Sequence, residues 1–246
     1  FCSKIWNAFR LIKGWTVDDN IQAPDAAKLA VHWFESKQNE VAAEVADLFS
    51  KYRLSEALMA VYKLFWDEFS SWYLEMIKPA YGQGIDRTTY SATLCFLDNL
   101  LHLLHPFMPF ITEELWQQMY ERNAEEGESL MVSALSMDTY VDTAFVAQFE
   151  VVKGVISNIR SIRLQKNIAQ KEPLDLQVLG ENPVAEFNAV IQKMCNLSSI
   201  TVVESKAEGA SSFMVGTTEY AVPLGNMIDV EAEIARMEAE LKHKEG

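Results

Sequence analysis

The first half of the chain carries hydrophobic residues at every third or fourth position, which is the spacing of one face of an α-helix. This pattern predicts a series of helices, each with an apolar face that needs a partner to be buried against. The predicted helices cover residues 1–15, 25–49, 53–77, 87–104 and 109–122. Helices of this kind in direct succession are typical of a helical bundle.

The ends of the predicted helices coincide with residues that cap or interrupt a helix. Asp86 is expected to cap the fourth helix, because its carboxylate can accept from backbone N–H groups of the first turn. Pro79 and Gly82 are expected to end the third helix, and Pro106 the fourth. The apolar stripe predicted for the third helix consists of Leu54, Leu58, Val61, Phe65, Phe69, Trp72 and Met76.

The second half of the chain has a different pattern, with one long helix followed by short runs that favour β-structure. The long helix is predicted at residues 144–164. The predicted strands cover residues 174–179, 200–204, 213–216 and 220–224, and a helix at 184–196 lies between the first two. A charged helix at 229–244 follows, with heptad spacing of Val230, Ile234, Met237 and Leu241 that is typical of a coiled coil.

The predicted fold is therefore mainly α, with a small α/β part. We expect a helical-bundle domain at residues 1–140, an α/β subdomain at 141–226 and the start of a coiled-coil arm at 227–246. The chain starts at Phe1 inside an amphipathic pattern, so we expect it to be a fragment of a longer protein.

The net charge of −14 argues at first against a nucleic-acid partner. However, the basic residues are concentrated in two stretches, 1–17 and 151–171, which hold three and five cations respectively and no acid. These stretches together carry +8, so the rest of the chain carries −22 (−14 minus 8). Since RNA needs positive potential only where its phosphates lie, the two stretches are candidate contact surfaces.

The sequence offers no pattern typical of a catalytic, metal or nucleotide site. Its glycines are scattered, and the three cysteines lack ligand spacing. His102 and His105 lie three residues apart without a third ligand, which favours a hydrogen-bonded structural pair over a metal site. We therefore expect no cofactor or metal in this chain. The most apolar stretch, 94–111, is interrupted by charged and polar residues, so we expect no membrane partner.

The first helix presents a polar ridge opposite its apolar face. The apolar face consists of Phe1, Ile5, Ala8, Phe9, Ile12 and Trp15. The ridge consists of Ser3, Asn7, Arg10 and Gly14, with Lys4 and Leu11 on one flank and Trp6 and Lys13 on the other.

Arg163 is expected on the apolar face of the helix at 144–164, beside Ile156 and Ile159. A charge in such a place needs a partner, and we expect a carboxylate of the helical bundle, which would make Arg163 a residue that joins the two domains. Arg160 and Lys153 point away from that face and remain candidates for RNA contact.

Three segments of the first half carry a resemblance to a known family. Residues 1–14, FCSKIWNAFRLIKG, resemble the helix that opens the anticodon-binding domain of class I aminoacyl-tRNA synthetases for valine, isoleucine and leucine. Residues 50–79, SKYRLSEALMAVYKLFWDEFSSWYLEMIKP, are similar to the third helix of that bundle in valyl enzymes. Residues 100–116, LLHLLHPFMPFITEELW, are similar to a segment that the whole group shares.

The second half favours the valyl-tRNA synthetases within this group. Residues 155–179, VISNIRSIRLQKNIAQKEPLDLQVL, and 197–204, LSSITVVE, resemble their linker subdomain. Residues 223–243, PLGNMIDVEAEIARMEAELKH, resemble their coiled-coil arm. The His-Ile-Gly-His and Lys-Met-Ser-Lys-Ser signatures of the catalytic core do not occur, so the resemblance implies a part that binds tRNA and does not charge it.

The resemblance also implies partners for this chain. We expect it to bind the anticodon stem-loop of valine tRNA and the remainder of the same synthetase, as a monomer in the cytoplasm. ATP with Mg would serve the parent enzyme, which joins valine to its tRNA. Two alternatives stay open: the same domain of an isoleucyl or leucyl enzyme, and a helical scaffold that binds only protein.

The resemblance places the anticodon site along the first helix. There Arg10 can contact a phosphate or a base edge, and Asn7 can donate to and accept from a base. Lys4 and Lys13 suit phosphates, and Trp6 and Leu11 can support a base, although all of these can also form an ordinary solvated or packed face.

Three further candidates lie outside the first helix. Trp72 can stack on a base or pack in the core. Lys78 can touch a phosphate or complement a helix dipole. Arg160 is the candidate from the second basic stretch.

Overall fold

The computed structural model describes residues 1–120, 129–135 and 137–225, and the chain divides into two compact units, residues 1–147 and 148–246. The first unit is helical and the second contains a four-stranded sheet, which confirms the predicted mainly α class with a small α/β part. The predicted coiled-coil helix at 229–244 lies outside the described residues. The predicted domain boundaries at 140/141 and 226/227 stay predictions.

The helices of the described part match the predicted series closely in position. In chain order they are α1 Cys2–Lys13, α2 Asp25–Ser50, α3 Leu54–Lys63, α4 Leu74–Ile77, α5 Arg87–Leu104, α6 Pro109–Met119, α7 Thr143–Gln165 and α8 Asn188–Cys195. A π-helical segment, Leu64–Tyr73, connects α3 with α4, and short 3₁₀ turns occupy Leu130–Val132 and Ala185–Phe187. None of the helices in these described ranges is long and apolar enough to cross a membrane.

The start of α5 is fixed by the predicted cap and by a contact that the sequence did not reveal. The Asp86 carboxylate accepts from the Thr89 N–H at 2.8 Å, which confirms the predicted cap. Directly before it, the two-residue strands β1 Val17–Asp18 and β2 Ile85–Asp86 pair in parallel. This pairing holds the segment after α1 against the segment before α5.

The third predicted helix, 53–77, is continuous, but its middle is π-helical and this shifts its buried face. A π-helical turn takes in more residues than an α-helical turn, so the buried positions advance by four, from Phe65 to Phe69 to Tyr73. The prediction that Trp72 lies on the apolar stripe is therefore wrong. Its side chain is partly exposed, and Tyr73 occupies the core position.

An aromatic cluster forms the centre of the first unit. The ring of Phe34 on α2 lies 5.2 Å from that of Phe69, 5.0 Å from that of Tyr73 and 5.1 Å from that of Phe96 on α5. The Tyr73 hydroxyl shares a hydrogen bond of 2.8 Å with the Thr93 hydroxyl, which satisfies the one polar atom that the ring brings into the core. The π-helical segment is thereby locked between α2 and α5.

The second unit is built on a mixed sheet with strand order β4-β3-β6-β5. Its strands are β3 Leu174–Leu179, β4 Leu197–Val203, β5 Ser211–Val215 and β6 Thr218–Val222. The neighbours β3 and β4 are parallel and are connected through α8, while β6 runs antiparallel to both β3 and β5. Helix α7 approaches β5 closely, since a Cβ on Gly154 would lie 3.0 Å from a methyl group of Val215.

Among the described residues of the bundle, no carboxylate pairs with Arg163, so this prediction is wrong. Its guanidinium is buried within the second unit and donates to the carbonyls of Ala169 at 2.9 Å, Cys195 at 2.7 Å and Asn196 at 3.3 Å. Residues 195 and 196 end α8, where backbone carbonyls lack intrahelical donors. Arg163 therefore joins α7 to the end of α8 inside one unit, and it does not join the two domains.

We predict that Arg163→Met destabilises the second unit by about 3 kcal/mol, because one buried and two partly buried carbonyls lose a charged donor while the side-chain volume stays similar. Amide hydrogen exchange in β3 and β4, read peptide by peptide, should then be faster by about 100-fold. The matched control is Arg160→Met on the exposed side of the same helix. Equal exchange rates in the two variants would contradict the role assigned to Arg163.

Candidate nucleic-acid interface

Helix α1 is oriented by its apolar face. Ile5, Ala8, Phe9 and Ile12 are buried, and the helix packs on α5 and α6 through this side. The opposite side therefore faces solvent, and it contains the predicted ridge. From Asn7 to Gly14 this ridge extends about 10 Å along the helix axis.

Arg10 and Asn7 are the two ridge residues best placed to contact a ligand. Both are exposed, and Arg10 lies in the last turn of α1. Within residues 1–120, 129–135 and 137–225, the Arg10 guanidinium makes no hydrogen bond or ion pair. Its donors are therefore available for a phosphate or a base edge. The side chain of Leu11, beside Arg10, is 36% exposed.

Lys4 and Lys13 make contacts inside the bundle. The Lys4 ammonium lies 3.3 Å from the Trp66 carbonyl oxygen and 3.6 Å from the centre of the Trp66 ring. Burial lowers the pKa of Lys4, and the Asp67 carboxylate offsets only part of this effect. The Lys13 ammonium donates to the Met119 carbonyl at 3.1 Å, at the end of α6. Contact of these two lysines with RNA stays a prediction, although their present contacts favour a structural role.

The aromatic candidates Trp6 and Trp72 are both partly exposed. The Trp6 ring lies 6.3 Å from that of Phe9, so it borders the apolar face of α1. Trp72 lies on the π-helical segment. Support of a base by either ring stays a prediction.

Lys78 lies at the edge of a cleft of about 480 Å³ at the C-terminal end of α1. One wall is the segment that follows α1, and the other is the loop that follows α4. The lining residues are Gly14, Trp15, Thr16, Lys78, Pro79, Ala80, Tyr81, Gly82, Gln83 and Gly84. The structure thus brings Lys78 next to Gly14, the last residue of the ridge.

The helical period places Trp15 on the apolar face of α1, and it gives no role to Tyr81. The available signal was an aromatic residue in the middle of a loop rich in proline and glycine, which is a common setting for a binding residue. What the sequence could not show is that residues 78–84 lie beside residues 14–16.

Arg160 belongs to the second unit, where its side chain is exposed on α7. It lies three residues before the buried Arg163 on the same helix. Its contact with RNA stays a prediction.

The predicted histidine pair is hydrogen-bonded, as expected. His102 bonds to the Asp98 carbonyl at 2.9 Å and to the Ser133 hydroxyl at 2.7 Å. His105 bonds to the Thr112 hydroxyl at 2.8 Å. Both imidazoles therefore connect neighbouring segments of the bundle.

A family model described as "Anticodon-binding domain of tRNA ligase" matches residues 31–178, which is more than half of the chain. The chain belongs to this family. The matched residues begin within α2 and end within β3, whereas α1 precedes them.

Several relatives match the chain over nearly its whole length. It is 70% identical to the Valine--tRNA ligase of Phocaeicola vulgatus and 66% identical to that of Bacteroides fragilis, each over 100% of the chain and 28% of the relative. It is 34% identical to the Valine--tRNA ligase of Enterococcus faecalis, over 98% of the chain and 29% of the relative. These matches confirm the resemblance to valyl enzymes. The chain thus spans less than a third of the length of these relatives.

We predict that Lys4→Met lowers the free energy of unfolding of the first unit by about 1 kcal/mol, because a hydrogen bond and a cation–π contact are lost. Arg10→Met on the same helix is the matched control and should change the free energy by less than about 0.5 kcal/mol. Urea denaturation followed by tryptophan fluorescence measures this, since all 6 tryptophans lie in the first unit. If Lys4→Met lowers the free energy of unfolding by no more than Arg10→Met does, the structural role assigned to Lys4 is contradicted.

Proposed function

We propose that this chain is the anticodon-recognising part of a valine--tRNA ligase and that the α1 ridge contacts the anticodon stem-loop of valine tRNA. The observation that carries the proposal is the exposed Arg10 on a ridge whose opposite face is buried in the bundle. The printed name of relatives that are up to 70% identical supports the choice of valine.

The ridge carries the kinds of group that single-stranded RNA requires. Arg10 offers a planar set of donors that fits a phosphate or the edge of a guanine. Asn7, one turn earlier, can donate to and accept from a base edge. Leu11 and Trp6 offer apolar surface beside these polar groups, as a stacked base needs.

The distribution of charge favours docking on this side of the first unit. The groove between α2 and the α3–π segment is lined by Glu44, Glu56 and Glu68 next to Lys37 and Lys63. Carboxylates in such a groove repel phosphates. On α1, by contrast, no acid occurs between residues 1 and 17. The phosphate backbone should therefore lie along α1 and not along that groove.

Further RNA contacts are proposed for Lys78, Trp72 and Arg160. Lys4 and Lys13 are proposed to contribute to the positive electrostatic potential around α1.

The remainder of a longer ligase would bind ATP with Mg and join valine to the tRNA. Such an enzyme would act in the cytoplasm, and we propose a monomer for this chain.

A second candidate function is a scaffold that binds only protein. The net charge of −14 favours it, since acidic surfaces repel RNA in general. The two functions differ in whether the chain binds RNA in a salt-dependent way.

We predict that the chain binds the anticodon stem-loop of valine tRNA more tightly than those of isoleucine and leucine tRNAs, with affinity that falls as salt rises. Arg10→Gln should lower the slope of log K against log salt by about one, because one phosphate contact is lost. Fluorescence anisotropy of labelled RNA at several salt concentrations measures both.

Arg53→Gln is the matched control, because Arg53 is also exposed but forms an ion pair with Glu56. It should leave the salt slope unchanged. Binding that is absent or independent of salt would contradict the proposal and favour the protein scaffold. Equal affinity for the three RNAs would contradict the choice of valine.

A further inference from the structure

We propose that the cleft at the C-terminal end of α1 holds one unstacked nucleobase of the RNA that docks on the α1 ridge, with the Tyr81 ring as its stacking surface. This inference rests on the proposed function, and it adds a binding site for one base to the phosphate contacts of the ridge. Four observations carry it: how the cleft is built, what lines it, its charge and its place next to Arg10.

The cleft is a built feature of the first unit and not a gap between loops. The Ile85 N–H donates to the Thr16 carbonyl at 2.9 Å, and β1 pairs with β2 directly beyond this bond. Gly84 permits the close approach, since a Cβ there would lie 3.0 Å from both the Thr16 carbonyl oxygen and the Asp18 Cβ. Both walls are therefore tied to each other at the base of the cleft.

The lining supplies the chemistry that an unstacked base needs. Tyr81 is 107% exposed, so its ring is fully open to a partner. Trp15 is partly buried in the facing wall. Aromatic rings hold bases that have left the stack, and the Thr16 hydroxyl and the Gln83 amide can each donate and accept toward a base edge.

The charge of the cleft suits a ligand that carries a phosphate. Among the described residues, its lining contains Lys78, whose ammonium lies 3.9 Å from a carboxylate oxygen of Glu75, and no carboxylate of its own. The groove between α2 and the α3–π segment, by contrast, has three carboxylates in its lining. The volume of about 480 Å³ lies in the range of small-molecule sites, about 300–1,000 Å³, so it admits a flat base with part of its ribose.

The position of the cleft relative to the ridge connects it to RNA rather than to a free small molecule. Gly14, which lines the cleft, lies one helical turn after Arg10 and on the same side of α1. The two are separated by about 6 Å along the axis. A nucleotide whose phosphate contacts Arg10 thus has the cleft beside it, at the end of the ridge.

The experiment uses the 246-residue chain and an anticodon stem-loop RNA that carries 2-aminopurine at one loop position at a time. We expect one position at which binding changes the 2-aminopurine fluorescence, and we expect Tyr81→Ala to abolish this change. Tyr140→Ala is the matched control, because Tyr140 is also exposed, at 63%, and lies outside the cleft. Circular dichroism should show both variants folded, since neither ring is buried.

Affinities are then measured for wild type and Tyr81→Ala with intact RNA and with RNA that lacks the base at the responsive position. Loss of the stacking contact should weaken binding of intact RNA by about tenfold, and binding of the abasic RNA by less than about twofold. RNA binding that Tyr81→Ala leaves unchanged, or equal losses with both RNAs, would overturn the cleft proposal while the proposed function stands. Failure of the wild-type chain to bind any RNA would overturn both.

Discussion

Burial of the apolar face of α1 determines which side of this helix is free to contact RNA. Ile5 and Ile12 have no exposed surface, and Phe9 has only 5% exposed. Each such side chain contributes about 1.5–3 kcal/mol when it is buried, which exceeds the contribution of an exposed hydrogen bond or ion pair. Rotation of α1 about its axis is therefore disfavoured, and Asn7 and Arg10 are held toward solvent. The polar ridge is a consequence of the core, and no separate interaction is needed to orient it.

The π-helical segment extends this constraint to the surface. Its rings at positions 65, 69 and 73 lie in the aromatic cluster around Phe34, so its backbone is fixed between α2 and α5. Lys4 then attaches α1 to that backbone through the Trp66 carbonyl. Lys4, which the sequence suggests as a phosphate ligand, thus helps to fix the position of α1, the helix that presents Arg10.

The sequence predicted the elements whose hydrophobic period extends over many residues or whose ends carry a local capping residue. Helices α2 and α5 match their predicted bounds to within one residue, and the cap at Asp86 is formed, because periodicity over 18 or more residues and a cap within one turn leave little choice. The α/β nature of the second unit was also predicted, since β3 alternates buried residues with exposed or partly exposed ones along its length.

Other features depend on contacts between distant parts of the chain, and these were missed. The strands β1 and β2 have two residues each, too few to show a period. Apolar spacings of three and four suit both α- and π-helical turns, so Trp72 was misplaced. Arg163 is bound by backbone carbonyls, which any residue type can supply. The cleft beside Gly14 likewise needs a loop more than sixty residues away in the sequence.

The most direct test of the central claim, that RNA lies along α1, is a footprint of arginine side chains with an arginine-selective reagent, read by mass spectrometry. Arg10 and Arg53 are both exposed, on α1 and at the turn before α3. If RNA lies along α1, the stem-loop of valine tRNA protects Arg10 from modification and leaves Arg53 as reactive as in the free chain. Protection of Arg53 with Arg10 still fully reactive would contradict this claim.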